Sequence, residues 1–118
     1  MKETPKDVRN SILVNAEQLV NGDRQRDYGH PYDDFTRTAR MASGLGFRMV
    51  DHQGNPRELN AKDIPMFMIL VKLSRESNRH KEDNLTDCIG YVKTLDMVIQ
   101  KEEELCNLRN TLSSCPAG

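Results

Sequence analysis

Four segments of the chain carry apolar residues every three or four positions, which places those residues on one face of an α-helix. The first segment follows Thr4 and Pro5, which suit a helix start, and it ends at Gly22. Its apolar positions are Val8, Ile12, Ala16, Leu19 and Val20. The second segment starts near Pro31, and Gly44 and Gly46 stop it. Its apolar side is formed by Phe35, Ala39, Ala42 and Leu45. Residues 22–34, between these segments, are predicted to form a polar loop.

The stretch after the second helix has no clear period. Residues 47–60 include Gly54 and Pro56, so we expect a long irregular connection between helices two and three, with a small hairpin at the sequence DHQGNP. A third helix begins near Asp63, where Pro65 is tolerated only in the first turn. Its sequence IPMFMILVKLS is apolar on nearly every side, as expected of the central helix of a bundle.

The fourth helix follows the polar turn ESNRHKED, where Asp83 or Asn84 is a suitable N-cap. Its apolar positions are Leu85, Cys88, Ile89, Val92, Leu95 and Ile99. The chain then becomes charged, and its end, SSCPAG, indicates a frayed tail. The pattern therefore predicts an all-α fold of about four helices, with a single domain over residues 1–105 and a tail over residues 106–118.

Composition disfavours several classes of function. The 17 Lys and Arg residues nearly balance the 18 Asp and Glu residues, so no global field attracts nucleic acid or a membrane surface. No apolar run approaches the roughly 18 residues that a membrane span needs, and the first residues do not resemble a signal peptide. The three cysteines form no C-x-x-C pair, which favours reduced thiols and a cytoplasmic location. A charged ligand must then be recognised locally.

The first candidate site is the segment NGDRQRDYGHPYDDF at residues 21–35, which carries more charge than a connecting loop requires. Two tyrosines bracket a histidine there and could form a stacking wall for a base or a sugar. Local ion pairs between the Arg and Asp residues are the alternative. The ligand-binding residues predicted in this segment are Asp23, Arg24, Asp27, Tyr28 and His30.

Further candidates flank the turn between helices three and four. Lys72 and Arg75 share one face of helix three, where cations could bind phosphate or pair with acids. Asp83, Asp87 and Tyr91 follow at four-residue spacing on helix four, and we expect Tyr91 to contact the ligand. Two aspartates one turn apart repel each other unless a cation lies between them, and Mg²⁺ accepts carboxylate oxygens. Helix capping by Asp83 and an ordinary salt bridge of Asp87 are the alternatives.

Three motifs within residues 12–95 resemble an uncharacterised family of small phage and prophage proteins. They are ILVNAEQLVNGDRQRDYGHPYDDF, KLSR and EDNLTDCIGYV. In that order they match a GDR-x-x-DYG-like segment, a K-x-x-R and a D-x-x-x-D-x-x-GY. The resemblance implies a phage protein, which would act in the cytoplasm of the bacterial host if it is phage-encoded.

The D-x-x-x-D-x-x-GY helix is more distantly similar to the second metal-binding helix of the MazG-like all-α nucleotide pyrophosphohydrolases. Those enzymes carry an E-x-x-D there, followed by an aromatic residue four positions after the Asp. Asp87 and Tyr91 match that Asp and that aromatic residue, whereas Asn84 stands in the place of the Glu. The first motif of those enzymes, E-x-x-E, has only Asp33 and Asp34 as loose substitutes. The similarity implies a MazG-like helical bundle that forms a homo-oligomer and uses Mg²⁺.

Three functions fit these residues. As a Mg²⁺-dependent nucleoside triphosphate pyrophosphohydrolase, the protein would use Asp83 and Asp87 as catalytic metal ligands, while Lys72 and Arg75 neutralise the phosphates. As a non-catalytic phage protein that counters host defence, it would sequester a nucleotide signal in the same pocket. As an inhibitor of a host protein it would need an exposed apolar surface, and the sequence marks no large patch of that kind.

Overall fold

The computed structural model describes the backbone of residues 5–111 and the side chains of residues 11–22 and 24–111. The helices are α1 Pro5–Asn21, α2 Asp23–Tyr28, α3 Pro31–Gly44, α4 Asp63–Asn78 and α5 Glu82–Asn110. Two short strands, β1 Met49–Val50 and β2 Pro56–Arg57, form a hairpin. The predicted all-α fold is confirmed, because four long helices make up most of the described chain. Thr4, at the predicted start of the first helix, lies outside the described residues.

The long helix α5 is the centre of the packing. It packs against α1 and against α4, and α3 contacts both α4 and α5. A buried apolar cluster of Phe35, Ala61, Tyr91 and Val98 lies where α3, α4 and α5 meet. On the α1 side, a Cβ built on Gly90 would lie 3.6 Å from Val20 Cγ2, so α1 packs closely against the backbone of α5. α5 ends at Asn110 and thus continues past the domain boundary predicted at residue 105.

The cysteines differ in state. Cys88 is a free and partly buried thiol. Cys106 is disulfide-bonded, so the expectation of reduced thiols is wrong for this residue.

The connection between α3 and α4 has the predicted irregular course and contains the predicted hairpin. β1 and β2 pair antiparallel, with Met49 opposite Arg57. Asp51 stabilises their turn, because its Oδ1 accepts the N–H groups of Gln53 and Asn55, each at 2.9 Å. The hairpin therefore turns at the sequence DHQGNP, where the hairpin was predicted.

A buried ion pair ties this hairpin to the start of α4. Arg57 Nη1 and Nη2 each lie 2.8 Å from a carboxylate oxygen of Asp63, whose side chain is only 2% exposed. The N–H of Asn60 donates to the same carboxylate at 2.8 Å. Burial alone would raise the pKa of Asp63, but the hydrogen bonds from Arg57 and Asn60 outweigh burial and lower this pKa. The start of α4 is thus held by a bidentate contact.

α4 is not the buried central helix that its apolar sequence predicted. Only Asp63 and Pro65 of this helix are buried. Four apolar side chains are exposed: Met66 at 43%, Phe67 at 64%, Leu70 at 63% and Leu73 at 49%. The reason is that, among the described helices, α4 packs only against α3 and α5, which leaves its opposite side uncovered. Apolar as it is, neither α4 nor any other helix within residues 5–111 has the length and hydropathy needed to cross a membrane.

Candidate functional site

The segment after α1 is a short helix, and the predicted polar loop is wrong. α2 begins directly after Gly22, whose N–H still donates to the carbonyl oxygen of Gln18 at 2.8 Å. A Cβ on Gly22 would lie 2.6 Å from that oxygen, closer than real side chains approach. Glycine at this position therefore permits the bend between α1 and α2. Six residues are too few to show a helical period in the sequence, which explains the error.

α2 directs Arg24 back towards the core. The guanidinium carbon of Arg24 is 5.2 Å from the ring centroid of Tyr91, and Nη1 donates to Tyr91 Oη at 3.3 Å. Burial would lower the pKa of Arg24, but the hydrogen bond to Tyr91 and the nearby negative charge of Asp87 raise it overall. The recess beside this pair measures about 10 Å³, about the space of one water molecule. Room for a ligand must therefore lie elsewhere.

Asp87 of α5, whose charge also acts on Arg24, connects α5 to α4 through an ion pair. Its Oδ2 lies 3.0 Å from Lys72 Nζ, and the side chains of Lys72 and Asp87 are 15% and 19% exposed. Salt screens such a partly buried pair less than it screens a surface pair. Burial and the adjacent charge of Asp87 raise the pKa of the Cys88 thiol. Four predicted site residues, Arg24, Lys72, Asp87 and Tyr91, are thus brought together, and they interact with one another.

An open groove of about 540 Å³ lies between the end of α4 and the start of α5, and we name it the anion groove. Its charged lining residues are Lys72, Arg75, Arg79, Lys81, Asp83 and Asp87. Lys72 is paired with Asp87, whereas Arg75, Arg79 and Lys81 form no ion pair with the described part of the chain. The groove therefore presents three uncompensated cations beside a single remaining acid.

Glu76 holds the turn that carries these cations. Its Oε1 accepts the N–H of Lys81 at 2.9 Å and the side-chain amide of Asn84 at 3.2 Å, and its Oε2 contacts His80 Nδ1. Hydrogen bonds from His80 and from the N–H of Lys81 lower the pKa of Glu76. Asn84, which the MazG-like resemblance aligns with a metal ligand, is buried and bonded to Glu76. Glu76 thus joins the end of α4 to the start of α5.

The other predicted residues of the segment at 21–35 do not line the anion groove. His30 is the N-cap of α3, and its Nδ1 accepts the N–H of Tyr32 at 3.0 Å. Tyr28 is 58% exposed and lines a shallow recess of about 30 Å³. Asp27 is exposed, and the side chain of Asp23 lies outside the described residues.

The carboxylates of the anion groove do not make a metal centre on their own. No group of three or more His, Cys, Asp and Glu side chains that could hold a metal ion occurs in the part of the chain described. Asp83 is exposed, and Asp87 is paired with Lys72. Mg²⁺ is usually bound by one or two carboxylates together with waters and substrate phosphates. Asp83 and Asp87 therefore do not fit a resident Mg²⁺ in the absence of a ligand that brings further oxygens.

Sequence reasoning missed several groove residues. Ser74, Asn78 and Lys81 line the anion groove beside the predicted Arg75. A signal for Lys81 was present, because a short turn between antiparallel helices places its own residues next to the last turn of the first helix. Ser74 and Asn78 belong to α4 itself. The polar turn sequence ESNRHKED was predicted only as a connection.

Residues 11–98 match the model of a family described as Domain of unknown function (DUF6378). Two curated mycobacteriophage proteins are similar to this chain over 95 residues, which is 80% of its length. They are the Gene 55 protein of Mycobacterium phage D29, at 30% identity, and the Gene 55 protein of Mycobacterium phage L5, at 33% identity. The chain spans just over half of these relatives, 57% and 56% of their lengths. No solved structure matches the chain.

These relatives support the expected membership of a phage protein family. The family match runs from α1 to Val98 of the buried cluster, so it includes α2, Lys72, Asp87 and the whole anion groove. The chain therefore belongs to the DUF6378 family.

Proposed function

We propose that this chain binds a nucleotide through its phosphate groups, in the anion groove between α4 and α5. The observation that carries this proposal is that Arg75, Arg79 and Lys81 line one groove without an ion-pair partner among the described residues. Arg binds phosphate through paired hydrogen bonds, and Lys binds it as a point charge. In a chain whose net charge is nearly zero, cations gathered at one place favour a local anion site.

The start of α5 supports the same proposal. Its N-cap, Lys81, makes no side-chain capping hydrogen bond. The first N–H groups of a helix lie at the positive end of its dipole, and phosphate oxygens commonly accept hydrogen bonds from such groups. Glu82 and Asp83 in this first turn oppose an anion, but the three unpaired cations of the groove outnumber them.

The structure supports recognition of phosphate better than recognition of a base. The groove volume of about 540 Å³ is within the range of small-molecule sites. Tyr28 and His30, the residues predicted to contact the nucleoside, do not line it. We therefore propose recognition mainly through phosphate, with a base that stays partly in solvent, and the choice of a nucleotide rests on the family resemblance.

Hydrolysis of a nucleoside triphosphate is the second candidate function. It is favoured by the position of Asp83 and Asp87, which line the same groove as the cations. Asp87 would have to release Lys72, now at 3.0 Å, before it could bind a metal ion. Sequestration of an intact nucleotide, as in a phage protein that withholds a signal from a host defence, needs no such rearrangement. We favour sequestration for this reason.

The test is isothermal titration calorimetry with nucleoside triphosphates and cyclic nucleotides, first without metal and then with Mg²⁺. The test variant carries Arg75→Gln and Arg79→Gln. A matched control carries Arg40→Gln and Arg109→Gln, which remove two exposed cations outside the groove. Ligand recovered after titration is analysed for release of pyrophosphate.

We expect metal-free binding by the wild type, recovery of intact ligand and affinity at least about tenfold weaker in the groove variant, since each lost charged hydrogen bond contributes roughly 1.5 kcal/mol or more. The control should bind like the wild type. Pyrophosphate release with Mg²⁺ that is abolished by Asp87→Asn would establish hydrolysis instead. If no nucleotide binds, or if the two double variants weaken binding equally, the groove is not the site.

A further inference from the structure

We infer that the uncovered side of α4 is the surface through which two copies of this chain associate. Met66, Phe67, Leu70 and Leu73, which we name the α4 stripe, lie within two turns of one helix and are exposed. Residues three, four and seven positions apart share a helical face, so these side chains form one continuous apolar strip. Isolated exposed apolar residues are normal, but a continuous strip of large ones marks a contact surface.

The charged residues of α4 beyond its first turn are engaged away from this stripe. Lys72 pairs with Asp87 of α5, Glu76 holds the turn, and Arg75 lines the anion groove. The stripe itself is uncharged. Two identical stripes can therefore meet across a twofold axis without bringing like charges together, whereas a charged partner would find no complementary charge there.

α5 extends the apolar surface beyond α4. Cys88 Sγ lies 3.9 Å from the carbonyl oxygen of Ile69, so this side of α5 faces α4. Val92 and Ile99 follow one and three turns later on the same side of α5, yet they are 55% and 38% exposed. α4 thus covers this face incompletely, and the hairpin of α4 and α5 presents apolar side chains from both helices.

The exposed area of the chain is large enough to supply a dimer interface. The chain exposes 8851 Å², whereas a compact protein of 13.5 kDa exposes about 6,500 Å². Its radius of gyration is 17.1 Å, against about 13.5 Å for a compact chain of this length. The excess of about 2,300 Å² is larger than the roughly 800 Å² that each partner buries in a standard interface. A second copy packed on the α4 stripe would cover area that the fold of one chain leaves open.

Sedimentation velocity on the full chain tests this inference, with Leu70→Glu as the test variant. The matched control is Met41→Glu, which adds the same charge at an exposed apolar residue of α3. We expect a wild-type dimer, a dimeric control, and a dimer dissociation constant raised about thirtyfold or more by Leu70→Glu, because truncation or charging of a central interface residue has effects of this size. Far-UV circular dichroism should show equal helix content in all three proteins.

Cysteine cross-linking keeps the inference testable if Leu70→Glu does not fold. Under mild oxidation, Leu70→Cys should form a covalent dimer, and Met41→Cys and the wild type should not. A monomeric wild type across the micromolar range would overturn the inference and leave the stripe to a different partner. A dimer that withstands Leu70→Glu and is not cross-linked through Leu70→Cys would also overturn it. The α4 stripe and the anion groove share no residue, so nucleotide binding is tested separately.

Discussion

The guanidinium of Arg24 lies over the ring of Tyr91, 67 positions further along the chain, and donates to its hydroxyl at 3.3 Å. Arg24 belongs to the short helix that follows the bend at Gly22, and Tyr91 belongs to the buried apolar cluster. The contact therefore attaches α2 to α5. Two residues whose types favoured a ligand site thus interact with each other in the fold.

Tyr91→Phe tests how much this contact contributes to the free energy of unfolding. The substitution removes the hydroxyl that accepts from Arg24 and keeps the ring, so we expect the free energy of unfolding to fall by about 0.5–1.5 kcal/mol. Urea denaturation followed by circular dichroism measures the change. Tyr28→Phe, at an exposed tyrosine, is the control and should change stability by less. Equal losses in the two variants would mean that the hydrogen bond does not stabilise the fold.

A double-mutant cycle on Lys72 and Asp87 tests the ion pair that borders the anion groove. Because both side chains are mostly buried and 3.0 Å apart, we expect Lys72→Met and Asp87→Asn to show a coupling energy of about 1–3 kcal/mol in the free energy of unfolding. The control cycle uses Lys93 and Asp96, which are about half exposed and 3.9 Å apart, and should give roughly 0–0.5 kcal/mol.

The same two single variants separate structure from binding. Asp87→Asn leaves Lys72 without its partner and adds a cation to the groove, so nucleotide affinity should rise or stay unchanged while stability falls. An Asp87→Asn variant that loses all nucleotide binding at unchanged stability would instead assign Asp87 directly to the ligand. Calorimetry and urea denaturation on the same preparations distinguish these results.

The helices were predictable because each has a sequence signal that acts locally. Pro31 and Gly44 bound α3, and Asp63 followed by Pro65 marks the start of α4. The exposure of α4 was not predictable. An apolar sequence indicates that a helix is to be buried, but it does not show whether the same chain or another one buries it. Leu70 is as apolar as a core residue and is nevertheless 63% exposed.

The candidate site was predictable only in part, because residue types do not specify partners. The spacing of Asp83, Asp87 and Tyr91 correctly placed them along one helix, but burial separates them: Tyr91 joins the core, Asp87 pairs with Lys72, and Asp83 stays exposed. Lys81 was not predicted as a site residue, because the turn that carries it has no helical period. Long-range pairing of this kind depends on how α4 and α5 pack, which no local pattern contains.

Gly22→Ala tests the bend that introduces α2. The added Cβ would lie 2.6 Å from the carbonyl oxygen of Gln18, so the backbone must shift, and we expect a loss of more than about 1 kcal/mol in the free energy of unfolding. Gly44→Ala is the matched control, because its Cβ would meet no atom within 4 Å at the end of α3. Alanine there should be neutral or stabilise by up to about 1 kcal/mol. A Gly22→Ala protein as stable as the wild type would show that the bend does not require glycine.

The contact between Arg57 and Asp63 predicts how stability depends on pH. Hydrogen bonds from Arg57 and from the N–H of Asn60 lower the pKa of Asp63 below its unfolded value of about 3.9, despite its burial. The contribution of this carboxylate to the free energy of unfolding is therefore complete above about pH 4 and is lost as the pH falls through the folded pKa.

At neutral pH, Asp63→Asn should lower the free energy of unfolding by about 1–3 kcal/mol, since it weakens a charged bidentate contact. This difference from the wild type should shrink as the pH falls from about 4 through the lowered folded pKa, where the wild-type carboxyl becomes protonated. Glu58→Gln, at an exposed acid of the same connection, should show only a small difference throughout. A difference between Asp63→Asn and the wild type that stays constant from neutral to acidic pH would show that packing around residue 63, and not its charge, holds the hairpin to α4.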